Sequence, residues 1–304
     1  MACTRARNVT VYSHSRLNSF ENCPRQFYYR YVERLPVETE SVEAFVGKRV
    51  HEVLERLNRF VEQGLVPSLG KVLARFRALW DEQFQAERIR IVRAENPPES
   101  YRDLGERCLT NHYRRHYPFD HDESLGIEAH VAFALDAEGR YRMQGVVDRI
   151  VRARDGALEI HDYKTGRWVP TQQALDEDRQ LALYQIGVAS RFGDAPVRLV
   201  WHYLLRDQTR VSTRTAEQLD RLRADTAERI DAIEAESTFD PKPSALCSWC
   251  EFRDACPAMA TAVSVAVAEP VELRVERKVR PRPRPAAPPP LPPAPAAAVQ
   301  LRLL

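Results

Sequence analysis

The chain has 304 residues, with 45 Lys and Arg against 43 Asp and Glu and a formal net charge of +2. This near-neutral balance excludes binding of a polyanion through gross basicity alone, although it leaves room for a local basic cleft. The apolar runs are shorter than the ~18 to 20 residues that a membrane span requires, and the first residues lack the apolar core of a signal peptide, so we expect a cytoplasmic protein.

The composition divides the chain near residue 262. Residues 281–304 contain nine prolines, with alanine filling most of the rest, and such a segment cannot build a packed core. We therefore predict one folded domain over 1–262 and a disordered, basic, Pro/Ala-rich tail over 263–304.

The first half of the folded domain predicts helices, and the middle predicts strands. After a short helix that opens at Ser15, apolar residues recur at helical spacing over 24–33, 42–63, 69–87 and 99–116. Alternating or β-branched segments predict strands over 127–135, 141–153, 157–164 and 197–205, and helical spacing returns over 175–191 and 214–235. These segments predict an α/β fold, with a mixed central sheet flanked by helices.

The turn between the second and third predicted strands decides which side chains face each other. A two-residue loop would place Asp148 opposite Tyr163. A three-residue loop that ends with Gly156 in the left-handed conformation places Asp148 opposite Asp162, with Lys164 on the same face. The longer loop also pairs two isoleucines with each other, so the apolar pattern favours it.

Two carboxylates whose side chains start about 5 Å apart repel each other unless a cation or a proton lies between them. Oxygen ligands select Mg²⁺ or Mn²⁺, and Lys164 offers a compact charge beside Asp148 and Asp162. It is one of only five lysines against 40 arginines. The alternative is that the two aspartates form surface ion pairs with Arg149 or Arg167.

Three motifs decide between these alternatives. In order and spacing, the chain resembles the RecB-like branch of the PD-(D/E)xK nucleases at Gly145-Val-Val-Asp148-Arg149, Asp162-Tyr-Lys164-Thr-Gly166 and Gln180-Leu-Ala-Leu-Tyr184. The resemblance implies a restriction-endonuclease-like fold in which Asp148 and Asp162 hold a metal and Lys164 supports the attacking water or the transition state. It also implies that Gln180 and Tyr184, which share one helix face, orient the substrate.

Two further metal ligands are predicted upstream of these motifs. Gly47-Lys-Arg-Val-His51 is similar to the histidine motif of the same nucleases, which implies His51 as a ligand. Glu128, on the strand before Asp148, is a candidate carboxylate ligand.

Four of the six cysteines form a one-plus-three pattern. Cys247, Cys250 and Cys256 lie within ten residues, and Cys23 stands near the N-terminus. This resembles the iron–sulphur subset of the same nucleases and implies a [4Fe-4S] cluster that clasps the N- and C-terminal segments together. Structural zinc also accepts four cysteines, but its usual spacing is two close pairs, so the pattern favours the cluster.

Together these features predict a Mg²⁺- or Mn²⁺-dependent DNA nuclease. The expected activity is that of an exonuclease on single strands or ends, in DNA repair, recombination or CRISPR adaptation. The alternatives are a catalytically silent or partner-activated DNA-binding scaffold and an RNA nuclease. No Walker A motif is present, so any helicase activity would come from a partner.

Two segments offer possible contacts to DNA or to partners. The helix Arg25–Arg30 has two possible roles. Its aromatic side chains could stack on the bases of a single strand while its arginines contact the phosphates, or the helix could pack beside the cysteines. The chain ends in a peptide similar to those that dock on the bacterial sliding clamp, with its anchors at Gln300, Leu301, Leu303 and Leu304.

Overall fold

A computed structural model describes residues 10–120, 123–193 and 195–259, apart from the side chain of Ser190. The predicted tail over 263–304, its boundary at residue 262 and the peptide at Gln300–Leu304 lie outside the described residues. No helix in the described ranges combines the length and apolar character that crossing a membrane requires.

Helices and strands alternate along the chain much as the sequence predicts. The helices are α1 (His14–Asn22), α2 (Pro24–Phe27, continued by a π-helical turn, Tyr28–Glu33), α3 (Val42–Glu62), α4 (Leu69–Gln83), α5 (Pro98–His116), α6 (Gln172–Asp176), α7 (Gln180–Phe192) and α8 (Ala216–Ala235). The strands are β1 (Val11–Tyr12), β2 (Glu40–Ser41), β3 (Ile89–Arg90), β4 (Glu123–Ala134), β5 (Arg142–Arg152), β6 (Leu158–Lys164), β7 (Val197–Tyr203) and β8 (Gln208–Ser212).

The central sheet is mixed, as predicted, with the order β1-β5-β6-β7-β8 and β4 beside β5. Pairing is antiparallel for β4 with β5, β5 with β6 and β7 with β8, and parallel for β1 with β5 and β6 with β7. Strand β4 covers one edge of β5. On the other edge β1 pairs with residues 142–143 and β6 pairs with residues 149–152, so residues 144–148 lie in a gap between two strands.

The predicted three-residue hairpin loop is confirmed. The backbone N–H of Ala153 donates to the carbonyl of Ala157 at 2.9 Å, and Gly156 between them has φ +87°. The resulting register pairs Ile150 with Ile160, as the apolar pattern predicts.

Helices cover both faces of the sheet because each presents an apolar stripe toward it. Helices α3, α4 and α5 form one core with Tyr163 and Leu204. Helix α7 packs on the opposite face against side chains such as Ile160 and Trp201. Ser41 and Ser13 cap α3 and α1 by accepting hydrogen bonds from backbone N–H groups in the first turn.

The structure contains three two-residue strands that were not predicted, β1, β2 and β3, and it also differs from the predicted elements in longer segments. The single helix predicted over 175–191 is two helices, α6 and α7, separated by residues 177–179. The strand predicted over 197–205 ends at Tyr203 and continues as a 3₁₀ turn. Strand β8 was missed because four of its five residues, Gln208–Ser212, are polar and the strand lies at the sheet edge.

Candidate active site

The gap in the edge of β5 brings together side chains from five elements. Helix α3 carries His51, β4 carries Glu128, β5 carries Asp148 and β6 carries Asp162 and Lys164. The first turn of α7 reaches the same place with Gln180. All six residues are ones that the sequence analysis selects, although they span 130 positions of the chain.

Three of these residues form a group that could hold a cation. One ligand atom each from His51, Glu128 and Asp148 lies within 4.8 Å of the other two. The set combines one imidazole nitrogen with two carboxylates, which suits Mn²⁺ or Mg²⁺. Asp162 is not a member of this group, because both of its oxygens are held by Lys164.

Glu128 reaches the group through an unusual backbone conformation. The β4–β5 register is the same on either side of it, with Ala129 opposite Val147 and Ile127 opposite Arg149. Glu128 itself has φ +46°, a left-handed conformation that is uncommon for a residue other than glycine. Such strain concentrates at functional sites. Burial and the charge of Asp148 raise the pKa of Glu128 to about 7.

His51 contacts both β5 and β6 at the site. Its Nδ1 lies 3.4 Å from Oδ1 of Asp148, and its Nε2 lies 2.8 Å from the carbonyl oxygen of Tyr163. Burial lowers the pKa of His51, but the hydrogen bond and charge of Asp148, the charge of Asp162 and the Tyr163 carbonyl outweigh it and raise the pKa to about 9. His51 is therefore held between oxygen atoms that attract positive charge, as a cation ligand at this place would be.

Asp162, Lys164 and Gln180 form a closed triangle beside that group. The Nζ of Lys164 lies 3.0 and 2.8 Å from the two oxygens of Asp162 and donates to Oε1 of Gln180 at 2.9 Å. The amide nitrogen of Gln180 donates to Oδ1 of Asp162 at 3.0 Å.

The two charges of the triangle stabilise each other. Burial tends to lower the pKa of Lys164, but Asp162 outweighs it and holds the pKa above its usual range. Burial also raises the pKa of Asp162, which Lys164 opposes. Lys164 is thus a fixed cation rather than a base in this state.

Asp148 and Asp162 both lie at the site, but they are not the directly paired residues that the sequence predicts. Main-chain pairing of β5 with β6 ends at Arg149 and His161, one residue before this pair. Instead, Oδ2 of Asp148 accepts a hydrogen bond from the backbone N–H of Tyr163 at 2.7 Å. Among the described residues, neither aspartate forms the surface ion pair with Arg149 or Arg167 that was the alternative.

A groove of about 530 Å³ leads away from this site along the gap. Its walls include Gln180, Tyr184, Gly145 and the start of α1 at Ser13 and His14. A Cβ atom on Gly145 would lie closer than 3 Å to the ring of Tyr184, so only glycine leaves space for that ring.

His14 is a groove residue that the sequence analysis does not select. Its ring is mostly buried, and burial together with the charge of Arg179 lowers its pKa to about 4. The signal that could have found it is the Ser13 cap, which starts α1 at the edge of the groove.

The four predicted cysteines meet at one cavity of about 220 Å³, which Cys23, Cys247, Cys250 and Cys256 all line. About 10–15 Å³ holds one water, so the space exceeds that of a single ion. Backbone N–H groups of Lys242 and Ser244 donate to the sulphurs of Cys23 and Cys247 at 3.4 and 3.3 Å, as occurs around iron–sulphur clusters. Burial, with smaller contributions from neighbouring Cys23 and Cys247, raises the pKa of the Cys250 thiol to about 11.

The helix Arg25–Arg30 packs beside the cysteines, which is the second of its two predicted roles. Phe27 is buried, Tyr29 donates to the carbonyl of Ala255 at 3.0 Å, and Arg30 pairs with Glu251. These contacts attach the N-terminal segment to the segment that carries three cysteines.

The central sheet is mixed and has a gap along one strand edge. Carboxylates, a histidine and a lysine converge on that gap. These features are typical of a cation-dependent phosphodiester hydrolase. Comparison with protein families agrees: the model of the PD-(D/E)XK nuclease superfamily matches residues 11–257. The chain belongs to this superfamily, whose members are metal-dependent nucleases.

Two further comparisons add little. No curated protein matches the chain. A solved structure described as "Crystal structure of SSO0001" is 17% identical over 81% of this chain and 95% of that one, with a TM-score of 0.32. A similarity at this level carries no argument about function.

Proposed function

We propose that this protein is a Mg²⁺- or Mn²⁺-dependent DNA exonuclease that acts on single strands or ends, in repair, recombination or CRISPR adaptation. The observation that carries the proposal is the convergence of the His51, Glu128 and Asp148 group with the Asp162–Lys164–Gln180 triangle. The preference for single strands and ends rests on the resemblance of the three motifs to the RecB-like branch.

The residues divide the chemistry between them. His51, Glu128 and Asp148 would hold the cation, with Asp162 as a further carboxylate. When bound, the cation lowers the pKa of a water molecule and neutralises charge that develops on the phosphate.

Lys164 carries a fixed positive charge at the edge of the site, where it can stabilise an oxyanion. Gln180 keeps Lys164 and Asp162 in place, and Tyr184 borders the groove in which the scissile strand would lie.

We also propose that Cys23, Cys247, Cys250 and Cys256 bind a [4Fe-4S] cluster with a structural role. The cavity, its four thiols and the two N–H···S hydrogen bonds support a metal centre here, and the one-plus-three spacing of the cysteines favours the cluster over zinc. The side chain of Arg90 donates to the carbonyls of Trp249 and Cys250 at 2.7 and 3.0 Å, so the cysteine segment is tied to β3 as well.

The cluster is tested by anaerobic purification, with iron and sulphide counted per chain and absorbance read near 400 nm. Cys250→Ala is expected to lose the cluster and lower the Tm, with Ser248→Ala as the control between two cysteines. Zinc without iron in the anaerobic protein would contradict the assignment.

The nuclease proposal is tested by following the release of labelled nucleotides from DNA with Mn²⁺ or Mg²⁺. Asp162→Asn and Lys164→Met are each expected to lower the rate about 100-fold or more, since each removes a charge from the site. Asp155→Asn and Lys71→Met are the matched controls, because Asp155 lies in an exposed ion pair with Arg198 and Lys71 is exposed on α4.

The choice of substrate decides among the remaining alternatives. Linear single strands labelled at either end give the polarity, and resistance of a circular single strand indicates an exonuclease. Competition with RNA separates the two nucleic acids. If the cluster-loaded protein binds every DNA tested but cleaves none of them, the scaffold function is favoured. A helicase partner and a sliding-clamp contact remain proposals based on sequence.

A further inference from the structure

A second group of possible metal ligands lies on the opposite face of the sheet from the nuclease site. One ring nitrogen each from His112, His116 and His202 lies within 4.8 Å of the other two. His112 and His116 are four residues apart on α5 and therefore share one face, with ring centroids 4.5 Å apart. The ring of His202, on β7, lies 5.9 and 5.2 Å from theirs.

Two of these rings are buried and His116 is half-buried, although imidazole has two nitrogens that need partners. His112 and His202 are each only 4% exposed. Within the described residues, Nδ1 of His112 is buried with no hydrogen-bond partner, which is unfavourable unless a ligand occupies it. A cavity of about 10 Å³ is lined by the three histidines together with residues of α5 and of the segment 203–209, and its volume is close to what one water molecule requires.

A fourth histidine sets the orientation of His202. The Nε2 of His161 lies 3.2 Å from Oε2 of Glu159, and its Nδ1 lies 2.7 Å from Nε2 of His202. If Glu159 holds a proton on Nε2 of neutral His161, then Nδ1 of His161 accepts the proton of His202 Nε2. The Nδ1 of His202 then carries a lone pair, with the hydroxyl of Thr209 at 3.5 Å from it. In metal sites the outer nitrogen of a ligand histidine typically donates to a fixed acceptor, and here His161 is that acceptor, with Glu159 behind it.

Neutral imidazole rings offer lone pairs to a cation. Two charged side chains, Arg115 and Asp207, border the same cavity as the three histidines, and Arg149 adds a positive charge near His112 and His202. Arg115, on α5, directs its charge toward Asp207, with Nε 2.7 Å from Oδ1.

We propose that His112, His116 and His202 form a second metal site, for Zn²⁺ or a similar divalent cation that prefers imidazole. Three histidines are an established ligand set for zinc and leave one position for water. The bound ion would join α5 to β7 and so stabilise the domain. Glu159 is a positioning residue that acts through His161. The inference does not depend on the proposed nuclease function, because the two sites share no ligand.

The test counts zinc per chain in the cluster-loaded protein after treatment with a chelator and dialysis against Zn²⁺. His116→Gln is expected to bind one equivalent less than the wild type and to lose most of the rise in Tm that Zn²⁺ causes. His130→Gln, an exposed histidine on β4, is the control and should bind as many equivalents as the wild type. Equal binding by wild type and His116→Gln would overturn the proposal.

A second variant keeps all three ligands and so guards against a failure to fold. Glu159→Gln is expected to weaken Zn²⁺ binding at this site about 10- to 100-fold, with the full stoichiometry restored at saturation. Co²⁺ gives an optical readout, because imidazole ligands produce visible bands without the sulphur charge-transfer band of the cysteine site. If His116→Gln does not fold by circular dichroism, an unchanged affinity in Glu159→Gln overturns the proposal.

Discussion

The carboxylate of Asp148 accepts a hydrogen bond from the backbone N–H of Tyr163 at 2.7 Å. This bond stands where the β5–β6 ladder would otherwise continue past Arg149 and His161. Asp148 therefore closes the sheet at the site and also contributes an oxygen to the metal-ligand group. One side chain has a structural and a chemical role, and substitution can separate them.

Asp148→Asn and Asp148→Ala should both abolish metal-dependent cleavage but differ in stability. Asparagine retains an oxygen that can accept from the Tyr163 N–H, whereas alanine leaves this N–H without its acceptor. We expect the asparagine variant to be more stable by about 1–3 kcal/mol, measured by urea unfolding with a chelator present. Both variants remove the repulsion of the Asp148 carboxylate by Asp162 and Glu128. This effect therefore cancels when the two variants are compared with each other.

The control for this pair is Asp225, on the exposed side of α8. There the alanine variant should be the more stable one by a few tenths of a kcal/mol, because alanine is the better helix former. Equal stability of Asp148→Asn and Asp148→Ala would mean that the hydrogen bond contributes nothing.

Gly145→Ala tests whether the position of Tyr184 matters for turnover. The new methyl group would lie closer than 3 Å to the Tyr184 ring, so the ring has to move away from the groove. A displacement of about 1 Å at a substrate-positioning group can cost about 100-fold in rate, and we expect kcat/KM to fall by 10- to 100-fold. Gly166→Ala, which meets nothing within 4 Å, should leave kcat/KM unchanged. Full activity in Gly145→Ala would show that Tyr184 does not orient substrate.

The hairpin could be predicted from sequence because it depends on a local pattern, whereas His51 and Gln180 were selected through the resemblance of their motifs. Loop length and apolar alternation fix the register, which brings Asp148 near Asp162. The left-handed backbone of Glu128 could not be predicted, because no glycine marks it. It depends on the contacts of the finished sheet. The contact of Lys164 with Gln180 also could not be predicted. It depends on the helix break at 177–179, and the apolar pattern continues across these residues without marking it.

The histidine cluster was not predictable for a related reason. His112 and His116 have helical spacing, but His202 is 86 residues farther along the chain than His116, and only the parallel pairing of β6 with β7 brings it close. Motifs within one element can be read from sequence, whereas groups assembled across the sheet require the fold.

Gly105→Ala tests the packing of α5 against α4. A Cβ at this position would come closer than 3 Å to the ring of Phe76, which is fully buried. Overpacking of this kind typically costs 1–3 kcal/mol, which should exceed the gain of about 1 kcal/mol in helix propensity. We expect a lower Tm. Gly70→Ala in α4 has open space and should raise the Tm slightly. The combination of Gly105→Ala with Phe76→Leu should recover part of the loss.

His14 makes the stability of the domain depend on pH between about 4 and 6.5. Burial and Arg179 lower its folded-state pKa to about 4, whereas the unfolded chain has a pKa near 6.5. Because the unfolded state binds more protons in this range, the stabilisation is complete above about pH 6.5 and is lost as the pH falls toward 4, by at most about 3 kcal/mol. Urea unfolding of wild type and His14→Gln at several pH values measures this. As the pH falls, the wild type should lose more stability than His14→Gln. A constant difference between the two proteins would exclude His14 as the group that titrates.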